Sequence, residues 1–199
     1  MAADRPSAAE ARTLLAHAFA GDPMFAWIFP DAAHRLESTA AWLGVAVERY
    51  LRDGSAEEVR EDGVLTGLAL WRSPRAPAAG RPDELPTADG LLTALTGAAH
   101  AAEVGRGFAS ARAELPPAPD PHAYLHFLAV RPGGQGRGVG GALLSRVLAE
   151  TRGAGLPLRL DTTNPANLPF YASHGLQVRH EARLGDSGPV IWTLETAHR

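Results

Sequence analysis

The sequence predicts a mixed α/β domain, and three observations carry that reading. Helix-period and strand-period segments are mixed along the chain rather than strictly alternating. A buried strand, "AYLHFLAV", runs straight into the glycine-rich stretch "RPGGQGRGVGG" and from there into an amphipathic helix. The chain then closes on a strand, a short helix and a strand pair, which is not the order of a simple doubly wound sheet.

The elements follow in order. Ser7 with Glu10 three residues later is a capping-box signature, and Ala11, Leu14, Leu15 and Phe19 recur at helical spacing, so a helix is predicted from about Ala8 to Ala20. "DPMFAWIFPD" is aromatic and bounded by prolines. It reads either as a hydrophobic plug between helices or as a substrate wall built from Phe25, Trp27 and Phe29. A second amphipathic helix places Leu36, Trp42, Leu43, Val47 and Leu51 near one face and stops at Gly54. "AEEVREDGVLTGLALWRSP" predicts a hairpin turning at Asp62-Gly63. Trp71, at the end of its second strand, is a candidate for either the acceptor side of a cleft or the core.

A proline-rich loop, "RAPAAGRPDELP", comes next, followed by a helical segment expected to break at Gly105 and Gly107. The buried strand ends at Val130. Val139, Leu143, Leu144, Val147 and Leu148 then mark a helix ended by 153–157. "LPLRLD" reads as a strand, "NLPFYASHG" as a short helix, and "LQVRHEARL" with "PVIWTLE" as a strand pair across "GDSG".

Composition narrows the function. A chain of 199 residues suits one core, so a single domain over 1–199 is expected. The net charge of −3 argues against a nucleic-acid binder that relies on bulk charge. The absence of cysteine excludes disulfides, zinc thiolates and a cysteine nucleophile. No metal is expected, no window is apolar enough for a membrane helix, and a cytoplasmic setting is compatible.

The glycine stretch has three readings. A flexible linker does not fit a joint between a buried strand and a helix. A dinucleotide fingerprint matches Gly136, Gly138 and Gly141, with Asp161 twenty residues further on. Against it, "RPGGQ" separates the strand from the first of those glycines, and only 38 residues follow Asp161. The third reading is Gln-x-x-Gly-x-Gly at Gln135, Gly138 and Gly140. Here backbone amides at a helix start would form an anion cradle, with Arg131 and Arg137 at the rim.

This third pattern resembles the acetyl-CoA site of the GNAT acetyltransferase superfamily over about 123–195. The resemblance implies the GNAT fold, a mostly antiparallel twisted sheet whose central parallel strands splay apart. It implies a substrate-side half of about 1–115 and an acetyl-CoA-binding half of about 120–199. The main chain of Leu128, Ala129 and Val130 would pair with the pantetheine arm. Gln135, Gly136, Arg137, Gly138, Val139 and Gly140 would hold the pyrophosphate. In "NPANLPFYASHGL", Asn164 holds the family's cofactor-contacting position and Tyr171 that of the general acid.

The same segment is similar to the puromycin-type acetyltransferases, which implies that Asn167 takes over or shares the role of Asn164. "YLHFLAV" is similar to a strand of the serotonin-type enzymes that carries two relay histidines; only His126 is kept, and Tyr124 replaces the other. The family usually begins with a short strand, which "MAADRPS" does not resemble.

Two residues compete for the role of base. His126 is placed by alternation on the strand face of Leu128 and Val130, and Asp161 ends the neighbouring strand. The expected function is N-acetylation of a small-molecule amine by direct attack in a ternary complex. A protein N-terminus or lysine as acceptor is the rival within that class. A non-catalytic acyl-CoA sensor is the rival outside it, and a homodimer stays open.

Overall fold

The computed structural model describes residues 6–74 and 86–197. The first helix, α1 (Ala8–Phe19), carries the expected capping box: Glu10 N–H donates to Ser7 Oγ at 3.2 Å, and Ser7 N–H to Glu10 Oε2 at 3.0 Å. The aromatic segment forms a short helix, α2 (Pro23–Ile28). Asp22 caps it and Pro23 occupies its first turn, where a missing N–H costs nothing. The longer α3 (Arg35–Asp53) follows, and then the hairpin of β1 (Ser55–Glu61) and β2 (Val64–Arg72). Asp62 and Gly63 have φ of 51° and 79°, the left-handed pair that a two-residue hairpin turn requires. The proline-rich loop falls mostly on residues outside those described.

The helical segment after it does break, but at Gly97. It forms α4 (Ala88–Thr96) and α5 (Ala98–Glu114), and α5 continues through Gly105 and Gly107. Packing overrides propensity here. A Cβ on Gly107 would lie 2.8 Å from Trp27 Cη2 and 3.0 Å from the Leu184 carbonyl carbon, so the bare backbone admits a close approach.

The remaining elements agree with the sequence reading: β3 (Ala123–Val130), α6 (Val139–Gly153), β4 (Leu158–Thr162), a 3₁₀ turn at Pro165–Asn167, α7 (Leu168–Ser173), β5 (Leu176–Arg183) and β6 (Val190–Thr196). The sheet order is β1-β2-β3-β4-β6-β5. Only β3 and β4 among these neighbours run parallel. That pair is in register from Ala123↔Leu158 to Leu125↔Leu160 and no further, so the two strands part beyond Leu125.

Each sheet face has its own core. Leu14, Leu15, Phe25, Leu43, Val47, Leu68 and Leu70 pack the α1–α3 face. Leu143, Leu144, Val147, Leu158, Leu160 and Leu176 pack the α6–α7 face. Burial of each such side chain is worth about 1.5–3 kcal/mol, which fixes the faces and therefore the strand registers.

Candidate active site

The register of β2 against β3 jumps from Leu70↔Phe127 to Trp71↔Leu125, leaving His126 as the extra residue of a β-bulge. The bulge inverts the alternation. Leu125 packs on the α6–α7 side and Phe127 on the α1–α3 side, while Leu128 returns to the α6–α7 side. The expectation that His126 shares a face with Leu128 and Val130 is therefore corrected. One inserted residue turns His126 toward α3, where Nδ1 lies 2.9 Å from the Tyr50 hydroxyl.

Three rings frame His126. Tyr50 and Tyr124 meet it edge-on, at centroid distances of 5.2 and 5.7 Å, and Phe127 stacks on it at 4.2 Å. Solvent reaches the side chain, and that open edge tempers the effect of the surrounding protein. Even so, partial burial, and after it the positive charges of Arg72 and Arg49, push its pKa down to about 4. Burial pushes the Tyr50 hydroxyl up to about 12, so it remains an O–H at neutral pH.

Asp161 sits across the parallel pair from Tyr124. Its Oδ2 accepts from the Tyr124 hydroxyl at 2.8 Å and its Oδ1 from Thr193 Oγ1 at 2.5 Å. Burial and then the Asp161 charge hold the Tyr124 pKa well above the usual phenol value.

Tyr171 lies on α7 and is 7% exposed, and its hydroxyl has no hydrogen bond among the described residues. Burial raises its pKa, and the negative charge of Asp22 raises it further. Asp22 itself accepts from Thr163 Oγ1 at 2.8 Å and from Met24 N–H at 2.9 Å, which ties α2 to the loop leading into α7. Burial raises the Asp22 pKa against the pull of those hydrogen bonds. Sequence reading did not single out Tyr50 or Asp22. The contacts of both come from elements distant in the chain.

The glycine stretch turns through Gly133, Gly136 and Gly138 at φ of 81°, 76° and 84°. Gly138 is the N-cap of α6 and supplies no side chain, so the first-turn amides of that helix lack a side-chain cap. Arg131 N–H donates back to Thr66 O at 2.8 Å. By strand alternation the amides of Leu128 and Val130 then turn away from β2, toward the gap left by β4, and that of Ala129 turns toward β2. Arg137 pairs loosely with Glu61 at 3.4 Å. Asn164 Oδ1 accepts from Ala166 N–H, and Asn167 Nδ2 donates to Thr162 Oγ1. Both asparagines thus stand at the C-terminal end of β4.

The aromatic candidates are placed less openly. Phe25 (2% exposed) stacks on Phe19 and meets Trp42 edge-on, as Phe29 (3%) does. Trp71 is 3% exposed in the other core, with its indole N–H unpartnered among the described residues. Trp27 donates to Ser187 Oγ at 3.0 Å and packs on Phe108. A separate surface groove of about 440 Å³ lies between α1 and the β1–β2 turn, lined by Glu10, His17, Val64 and Arg131. None of His126, Asp161 and Tyr171 lines it. Among the described residues, no cluster of three or more His, Asp or Glu could hold a metal ion, and no helix is long and apolar enough to cross a membrane.

The model of the Acetyltransferase (GNAT) family matches residues 60–176. Among solved structures, the chain is similar to a histone acetyltransferase HPA2 and related acetyltransferase from Corynebacterium glutamicum. Identity is 22% and the TM-score 0.67, over 100% of this chain and 95% of that one. It is also similar to an agmatine N-acetyltransferase (18%, TM-score 0.56, over 97% and 96%). A third likeness is to a PaiA N-acetyltransferase from Thermoplasma acidophilum in complex with coenzyme A (14%, TM-score 0.51, over 97% and 96%). At these identities the likeness to the solved structures is one of fold.

Proposed function

Because the chain belongs to the acetyltransferase (GNAT) family, we propose that it moves the acetyl group of acetyl-CoA onto the amine of a small molecule, by direct attack in a ternary complex. The observation that carries this reading is the gap between β3 and β4 beyond Leu125 and Leu160. It leads to uncapped helix-start amides at one end, and His126, Tyr124 and Asp161 stand beside it. The chain acts as one domain, its two halves meeting at that gap.

The residues present fit the cofactor. Main-chain groups of Leu128 and Val130 are free to pair with an amide-bearing arm, and Ala129 between them keeps the strand extended. Amides from Gln135 to Gly140, including those of Gly136, Arg137, Gly138 and Val139, are free to bind a pyrophosphate. Asn164 and Asn167 flank its path. When bound, acetyl-CoA supplies an activated thioester carbonyl.

His126 takes the proton of the attacking ammonium. Its ring is neutral at physiological pH, so a nitrogen lone pair is available to accept. Asp161, accepting from Tyr124 and Thr193, positions Tyr124 beside His126. As the carbon–nitrogen bond forms and the carbon–sulfur bond breaks, the Tyr171 hydroxyl gives its proton to the departing sulfur. Trp27 and Trp71 remain candidates for the acceptor wall, whereas Phe25 and Phe29 support it from the core. No metal takes part, and the setting is the cytoplasm.

Purified protein given acetyl-CoA and a panel of primary amines should release CoA, read with a thiol-reactive dye, and yield an N-acetyl product by mass spectrometry. Binding of acetyl-CoA with no turnover across a broad panel would instead favour a sensor.

A further inference from the structure

Two cations whose charges reach His126, Arg49 and Arg72, meet no carboxylate among the described residues. Arg72 is the last residue of β2, in register with Tyr124, and its guanidinium carbon stands 5.9 Å over that ring. Arg49 precedes Tyr50, whose hydroxyl contacts His126. Both positive charges act on His126 and Tyr50. Neither arginine makes an ion pair among the described residues, and Arg49 Nε is enclosed with no hydrogen-bond partner there.

Several other arginines that pack on the sheet do have carboxylate partners. Arg60 has Glu10 and Glu58, Arg146 has Glu57, and Arg159 has Glu195. Asp161, the carboxylate beside Tyr124, already accepts from Tyr124 and Thr193. An enclosed guanidinium nitrogen without an acceptor is costly, and a ligand oxyanion offsets that cost. The planar fork of arginine suits a carboxylate or a phosphate.

We propose that the acceptor carries an oxyanion, carboxylate or phosphate, besides its amine, and that Arg49 and Arg72 receive it. This rests on the acetyltransferase reading above and narrows its substrate class to amino-acid-like amines. Arg72, anchored over Tyr124, sets the distance between the anion and the amine that meets His126.

The test uses matched acceptors in the full-length protein: α-, β- and γ-amino acids, their carboxamides, and the corresponding aminophosphonates. At one spacing or more, kcat/KM for the oxyanion-bearing amine should exceed that of its amide by about tenfold or more. That ratio should fall toward one in Arg72→Gln and Arg49→Gln and be partly kept in Arg72→Lys. In Arg152→Gln, at the exposed end of α6, it should persist. The phosphonate arm decides between the two oxyanions. Calorimetry should show the preferred oxyanion-bearing compound binding to wild type and about tenfold weaker to Arg72→Gln, with unchanged circular dichroism confirming that the variants fold.

Amides used as well as acids at every spacing would overturn the proposal and leave the acetyltransferase reading standing. No acetylation of any amine would overturn that reading, and the calorimetric arm would still decide whether the arginines bind an oxyanion.

Discussion

The Tyr124 hydroxyl donates to Asp161 Oδ2 at 2.8 Å, bridging the parallel strands β3 and β4 just where their pairing ends. Thr193 Oγ1 from β6 donates to the other carboxylate oxygen, so three strands meet on one side chain. The mouth of the gap is thereby fixed by a hydrogen-bonded carboxylate rather than by ladder hydrogen bonds.

If Asp161 positions Tyr124, then Tyr124→Phe and Asp161→Asn remove one shared interaction. Each is expected to cost about 1–3 kcal/mol of stability, with the double variant costing clearly less than the two added together. Chemical denaturation of the four proteins measures this. Additive losses, with turnover abolished only in Asp161→Asn, would restore Asp161 as the base.

The Tyr171 hydroxyl has no hydrogen bond among the described residues, so its removal frees no acceptor there. Tyr171→Phe should fold as the wild type, bind acetyl-CoA with unchanged affinity, and lose about 10²-fold or more in kcat. Calorimetry and steady-state kinetics read the two effects separately. Unchanged kcat would remove Tyr171 from the chemistry.

The lowered pKa of His126 makes two pH predictions. The ordinary value is 6.5 and the folded value about 4. The unfolded chain therefore binds the proton first as pH falls. Stability attached to the neutral ring is fully present above about 6.5 and is lost as pH falls toward 4. His126→Gln should flatten the fall in melting temperature across that window. As the base, His126 should also place the acidic limb of the kcat/KM profile well below 6.5. An acidic limb that persists unchanged in His126→Gln would contradict the assignment.

Asp22 bears the opposite sign. Burial raises its pKa, so the folded chain holds a proton that the unfolded chain releases, and stability falls as pH rises from 3.8 through the raised value. Asn caps a helix as well as Asp does. Asp22→Asn should therefore melt no lower than wild type at pH 7, and its advantage should vanish below pH 3.8. A lower melting temperature at pH 7 would show that the charged form is the stabilising one.

Much of the fold was legible locally. Ser7 with Glu10, Asp62-Gly63, and the strand–glycine–helix joint at Val130–Val139 are short-range patterns, since caps, turns and helix starts are governed by neighbours in sequence. The same holds for the family motifs from Gln135 to Tyr171. Gly107 misled because its place in α5 depends on Trp27 and Leu184, far away in the chain.

The sequence by itself determined the candidate residues and their chain order: His126, the glycine loop, Asp161 and Tyr171. Tertiary structure alone decided how they face. A single bulged residue reversed the side of His126, brought it to Tyr50 on α3, and set it under the charges of Arg49 and Arg72. Strand alternation is a property of one strand, but a bulge arises from pairing between two, so no reading of β3 alone could place that side chain.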